Sequence, residues 1–191
     1  MNLPVFLSLS KPYTEEQKKF RDNLIEYMKD HGLDPRTVGD TDFFIDEPLS
    51  GCRMLLLESY GLITLAFRRY YIKAGSENHP DNQTLLPYDD EGKPIKEKPI
   101  KGEYLTSPWC QMEAAMAYQI GLPILIFREE GVIARGLLAK GITDTYMPVF
   151  SASEFGTYFD RDDFRQWFRQ WSGRVHMVRE IKGTPPKLYK R

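Results

Sequence analysis

The first apolar run of the chain, LPVFLSLS at 3–10, carries hydrophobic residues on both parities, which predicts a strand buried on both faces of a sheet. A helical period follows. Thr14-Glu15-Glu16-Gln17 reads as a capping box, Phe20, Leu24 and Met28 recur at helical spacing, and Gly32 supplies a stop. LDPRTVG (33–39) predicts a weaker strand, placed at a sheet edge by Pro35. TDFFIDEPLSG leads as a loop into a helix around 50–59, and GLITLAF (61–67) predicts a second strongly apolar strand.

Periodicity then fails over 72–103, a polar stretch punctuated by Gly and Pro in which KPIK occurs twice. Two copies of four residues are too short to define a repeat architecture. A segment this long inside a compact domain is either functional or a tolerated surface insertion, and its low apolar content predicts mobility and a gating role over a site. TSPWCQMEAAMAYQIG (106–121) restores the helical pattern, with Ser107 as cap, Pro108 at the first helical position and Gly121 closing the last turn. LPILIF follows as a buried strand, then a short helix near 131–140, a strand at TYMPVF (145–150) and a last helix over about 158–171. In that helix Phe164, Trp167, Phe168 and Trp171 form a stripe that is assigned to packing.

Apolar strands alternating with helices predict a parallel sheet covered on both faces. Five such strands fit a flavodoxin-like doubly wound α/β domain, order 2-1-3-4-5, whose ligands bind at the carboxyl ends of the strands beside the first and third. The expected organisation is one domain over 1–175 with an insertion at 72–103, then a basic tail at 176–191.

Composition narrows the ligand. Among 191 residues, 26 Lys and Arg against 27 Asp and Glu leave a formal charge of −1, which argues against duplex nucleic acid as the main partner. Cys52 and Cys110 have no paired spacing, and the chain shows no secretory signal or long apolar span, so reduced thiols in a cytoplasmic protein with no membrane segment are expected. His31, His79 and His176 are scattered, and no metal is expected. There is no G-x-G-x-x-G after the first strand, no G-x-S-x-G elbow and no P-loop.

One feature of the helix at 106–121 stands out, a single carboxylate, Glu113, four residues after Trp109. The two share a helix face on the rim where ligands of this fold bind. An indole can wall a flat base and desolvate the acid; the carboxylate can bond ribose hydroxyls or stabilise an oxocarbenium-like centre. Ser8, Ser10 and Lys11 after the first strand, with Phe67, Arg68 and Arg69 after the third, surround the same rim, and the Lys11 and Arg68 charges could hold phosphates. The competing reading has Glu113 in water and Trp109 packed on the sheet.

These residues carry a family resemblance. VFLSLS before a capped helix resembles the opening of TIR domains, and DFFIDEPLSGCRMLLLESYGLITLAF resembles the TIR stretch running into the strand before the active helix. EYLTSPWCQMEAA is similar to the TIR signature of Tyr followed by Ser-x-Trp-Cys-x-x-Glu, matched here by Tyr104, Ser107, Trp109, Cys110 and Glu113. The resemblance spans roughly 3–150 and implies cleavage of the nicotinamide–ribose bond of NAD, giving nicotinamide with ADP-ribose or a cyclic product. It further implies Glu113 as the catalytic residue and Trp109 as a pocket wall. Ser8, Ser10, Lys11, Phe67, Arg68, Tyr104 and Ser107 complete the expected substrate-binding set. NAD is then substrate and no cofactor is needed. Self-association, a defence-system partner protein and a role in antiphage defence are also implied. A more distant likeness to nucleoside 2-deoxyribosyltransferases offers a nucleoside or nucleotide N-glycosidase as an alternative, and a TIR-like assembly module without catalysis is a third. The insertion at 72–103 and the loop VGDTDFFIDEP depart from the TIR pattern.

Overall fold

A computed structural model of the chain describes residues 2–45, 47–80, 83–143 and 147–181. In chain order, the first half comprises β1 (Leu3–Leu9), α1 (Glu15–Asp30), β2 (Leu33–Arg36), α2 (Pro48–Glu58) and β3 (Leu62–Ala66). Four short strands follow, β4 (Tyr70–Ile72), β5 (Gly75–Glu77), β6 (Lys98–Ile100) and β7 (Glu103–Leu105). The rest is α3 (Pro108–Gln119), β8 (Ile124–Glu129), β9 (Val149–Phe150) and α4 (Asp162–Ile181). Five strands form one parallel sheet in the order β2-β1-β3-β8-β9, the flavodoxin-like arrangement. β2, with Pro35, lies at the edge.

Side-chain parity divides the sheet into two chemically different halves. Val5 and Leu7, Ile63, Leu65 and Phe67, and Leu125 and Phe127 pack with α1 and α4 in an aromatic-rich core. Phe20 stacks on Phe150 with ring centroids 4.3 Å apart, and Tyr158 and Phe159 close around it. The opposite parity, Phe6, Leu62, Ala66, Ile124 and Ile126, packs with Cys52, Leu55 and Leu56 of α2 and Ala114 and Ala117 of α3. Ser8 and Ser10 share the parity of Phe6, so the strand that begins apolar on the α2–α3 side ends there with buried hydroxyls.

The caps form as the sequence dictates. Thr14 accepts from the Gln17 N–H at 3.1 Å, and Ser107 accepts from Trp109 N–H at 3.3 Å with Pro108 opening the helix. Gly121 takes a φ of 77° just past α3, a left-handed turn that a side chain would resist.

Four expectations change. The 72–103 segment is no structureless loop: β4 pairs antiparallel with β7, and β5 with β6, giving a ribbon that leaves the sheet after β3 and returns at α3. Three-residue strands are too short to show a period of two in sequence. The helix near 131–140 shrinks to one 3-10 turn at Gly136–Leu138, because Gly131 and Gly136 both adopt positive φ. The strand expected at 145–150 is the pair Val149–Phe150, and residues 144–146 lie outside the described residues. The last helix starts and ends later than expected, since Val175 extends the buried stripe Phe164, Phe168, Trp171 and packing overrides the weak propensity of Ser172-Gly173. Residues 176–181 of the expected tail therefore belong to α4, and 182–191 lie outside the described residues.

Candidate active site

α3 carries Glu113 along the α2–α3 face of the sheet, one turn and a half past its cap, and its carboxylate meets the end of β1. Glu113 is 8% exposed, so it is not a solvated surface acid. Ser8 Oγ donates to Oε2 at 2.5 Å, and Cys52 Sγ donates to Oε1 at 3.2 Å from α2. Burial raises the Glu113 pKa above the ordinary carboxylate value, and the two donors pull it back only in part. The Cys52 thiol is pushed up to about 12 by burial and by the facing carboxylate, so it stays protonated and a donor.

This carboxylate opens into a cleft of about 380 Å³. Ser10, Lys11, Ser107 and Trp109 line it together with Glu113, as do Thr37 and Val38 from the loop after β2, Cys52, Arg69 and Tyr70. Trp109 is 37% exposed and forms a wall instead of packing on the sheet. Ser10 is already engaged: its hydroxyl lies 3.0 Å from Thr106 Oγ1 and accepts from the Ser107 N–H at 3.1 Å, tying the start of α3 to β1. Lys11 and Arg69 stand exposed at the mouth, where Arg69 donates to the Lys11 carbonyl at 3.4 Å. The loop wall is held by Arg36, which pairs with Asp42 and, at 2.8 Å, with Glu58, while Thr37 Oγ1 donates to the Leu7 carbonyl at 2.8 Å.

Three expected binding residues stand elsewhere. Phe67 has the parity of Leu65 and is fully buried against Phe20 and Phe150 on the α1–α4 side. Arg68 turns to the same side and pairs with buried Glu129 at 3.0 Å, a carboxylate that also accepts from Gln17 Nε2 at 2.9 Å and from the Arg68 N–H at 2.7 Å. Tyr104 packs under the Arg68 guanidinium and beside Tyr71, away from the cleft lining. The arginine that joins Lys11 at the mouth is Arg69, one residue further on. Arg69 is legible in the sequence as a rim residue after the third strand, whereas Cys52 and Tyr70 are not legible as site residues. The one signal was Cys52 on the inward face of α2, in register with Leu55 and Leu56.

A larger groove of about 600 Å³ runs between α1 and α4, lined by Tyr27, His31, Arg165, Arg169 and His176. It holds no acid and lies on the aromatic side of the sheet, so size does not select the site; the buried carboxylate does. Among the described residues no group of His, Cys, Asp and Glu is placed to hold a metal ion, and no helix is long and apolar enough to cross a membrane.

The ribbon reaches the cleft only through its base, Arg69 and Tyr70. Replacing 74–101 by a short Gly/Ser linker is expected to leave the fold intact and raise the apparent KM severalfold, because a short isolated strand pair is marginal and the base loosens. An unchanged KM would make the outer ribbon a decoration.

Fold and site thus define a flavodoxin-like α/β domain with a buried carboxylate at the rim beside β1 and β3. No family model matches the chain, and no curated protein matches it. Among solved structures it is similar to a CMP N-glycosidase of Clostridium botulinum, BcmB, with 14% identity and a TM-score of 0.49 over 85% of this chain and 98% of that one. It is also similar to the TIR domains of the activated Roq1 resistosome recognising the effector XopQ, with 14% identity and a TM-score of 0.41 over 92% of this chain and 85% of that one. Neither likeness is strong enough to bear on chemistry, and the fold is defined by the order of the sheet itself.

Proposed function

We propose that the chain cleaves an N-ribosidic bond, with NAD as substrate and nicotinamide as the leaving base. The observation that carries this reading is that Glu113 is the only acid among the described residues lining the cleft. Glycosidases that expel a poor leaving group pair two carboxyl groups, one of them a proton donor. A pyridinium base needs no such donor. The bond from C1′ to nitrogen breaks with its electron pair going to the ring, and nicotinamide departs neutral. The positive charge left on the ribose faces the Glu113 carboxylate, which is poorly solvated and so interacts strongly with it. Water then bonds to C1′ and loses a proton to solvent, giving ADP-ribose. Attack by an atom of the adenine instead gives a cyclic product.

The cleft volume, near the low end of the range of about 300–1,000 Å³ for ligand pockets, fits the nicotinamide riboside half inside, with phosphates meeting Lys11 and Arg69 at the mouth. The same volume suits a whole mononucleotide, which keeps a nucleotide N-glycosidase as the second reading. Incubating the purified protein with NAD and, separately, with nucleoside monophosphates and deoxynucleotides separates the two. Nicotinamide release from NAD alone is expected. Release of cytosine, uracil or a purine without nicotinamide would replace NAD as the substrate, and no base release from any of them would overturn the glycosidase reading.

Self-association, a defence-system partner and a role in antiphage defence belong to the same proposal and rest on the TIR resemblance. They predict that specific activity rises with protein concentration. Flat activity across a wide dilution series, with scattering showing only monomer, would remove the assembly requirement.

A further inference from the structure

The two oxygens of Glu113 are held unequally. Ser8 is buried outside the cleft lining, whereas Cys52 is part of the wall, so Oε2 is held from behind the cleft and Oε1 from the wall itself. Among the described residues, the hydrogen offered to Oε1 comes from a thiol. A thiol is a weak donor. A hydroxyl in its place would bond the carboxylate more strongly and draw charge from the group that must face a cation; an apolar group would leave the side chain held from one side only.

We propose that Cys52 is a positioning residue for Glu113, a weak donor that fixes the orientation of the carboxylate while leaving Oε1 most of its charge. Cys52 does not act as a nucleophile. Its own burial and the neighbouring carboxylate keep it a thiol at neutral pH. The remaining titratable or charged groups facing Glu113 are few. Cys110 lies one turn back on α3 and is buried as a thiol, and Lys11, Arg69 and Tyr70 stand at the mouth of the cleft. Among the described residues, the side-chain hydrogen bonds to the Glu113 carboxylate come from Ser8 and Cys52, and both oppose the rise in its proton affinity that burial causes.

The inference rests on Glu113 being the catalytic carboxylate, and its test is chosen to stand apart from that. The titration of Glu113 is followed directly by carbon NMR of protein labelled at glutamate carboxyls, assigned with Glu113→Gln, in the wild type, Cys52→Ser and Cys52→Ala. The serine variant is expected to titrate about half a pH unit or more below the wild type and the alanine variant a similar amount above it, as the strength of one hydrogen bond to the charged form requires. The acid limb of kcat/KM for base release should move in the same order, with kcat lowered in both variants and KM changed little. Thermal melts identify any variant that has lost its fold, and Cys52→Thr then replaces it. Coincident titrations in folded serine and alanine variants would overturn the proposal. Shifted titrations with no base release from any protein would leave the contact established and remove the catalytic reading of Glu113 instead.

Discussion

Glu113→Gln is expected to lower nicotinamide release by about two to three orders of magnitude, the usual loss when one preorganised electrostatic group is removed from a transition state. The amide keeps the shape and can still accept from Ser8, but it has no charge to set against the ribosyl cation. The same substitution should make the protein more stable at neutral pH. Burial raises the pKa of Glu113 in the folded chain above its unfolded value, so the folded state binds the extra proton and ionisation works against folding. That destabilising contribution is absent below the unfolded carboxylate pKa and grows as pH rises through the folded value. A melting series from pH 4 to 8 should therefore show the glutamine variant gaining on wild type as pH rises. A well-folded variant that releases nicotinamide at the wild-type rate would remove Glu113 from the mechanism.

Arg68→Met is expected to destabilise the fold by stranding a buried carboxylate. Glu129 has no exposed surface, and Arg68 supplies both its ion pair and a backbone donor. Breaking a buried pair from one side costs about 3–5 kcal/mol because the remaining charge stays uncompensated. Here the arginine side chain is 35% exposed, and water screens part of the pair, so about 2–3 kcal/mol is expected. For a chain of this size that lowers the melting temperature by roughly 5–10 °C. Adding Glu129→Gln should recover much of the loss, since the orphaned charge then disappears while Gln17 keeps a partner. At temperatures where the single variant stays folded, KM should match wild type. A KM raised severalfold by Arg68→Met, with stability unchanged, would restore Arg68 to the phosphate site.

Arg68 also shows where sequence reading reaches its limit. The sheet order, the caps of α1 and α3 and the acid on α3 were all legible, because periodicity, capping chemistry and a charge in an apolar helix are local signals. Ser8 and Ser10 could be placed because they follow Phe6 on one parity of an unmistakable strand. Phe67 and Arg68 were placed by position at a strand end, and there position is not enough: parity turns Phe67 onto the aromatic side, and the buried acid that captures Arg68 sits on a strand about 60 residues later in the chain. Cys52 reaches Glu113 only because α2 and α3 lie side by side, a contact that no spacing within either helix encodes.

The division of the sheet into two halves has a spectroscopic consequence. The chain has three tryptophans, and Trp109 is the one at the cleft, while Trp167 and Trp171 belong to α4 on the opposite side. Trp171 is nearly buried, its indole N–H donating to the Pro123 carbonyl at 3.1 Å, whereas Trp109 meets water along more than a third of its surface. Emission from the buried indole thus reports whether the chain is folded, and emission from Trp109, at longer wavelength, reports what occupies the cleft. With Trp167 and Trp171 replaced by phenylalanine, the protein becomes a single-emitter sensor of its own ligand, readable by quenching without turnover.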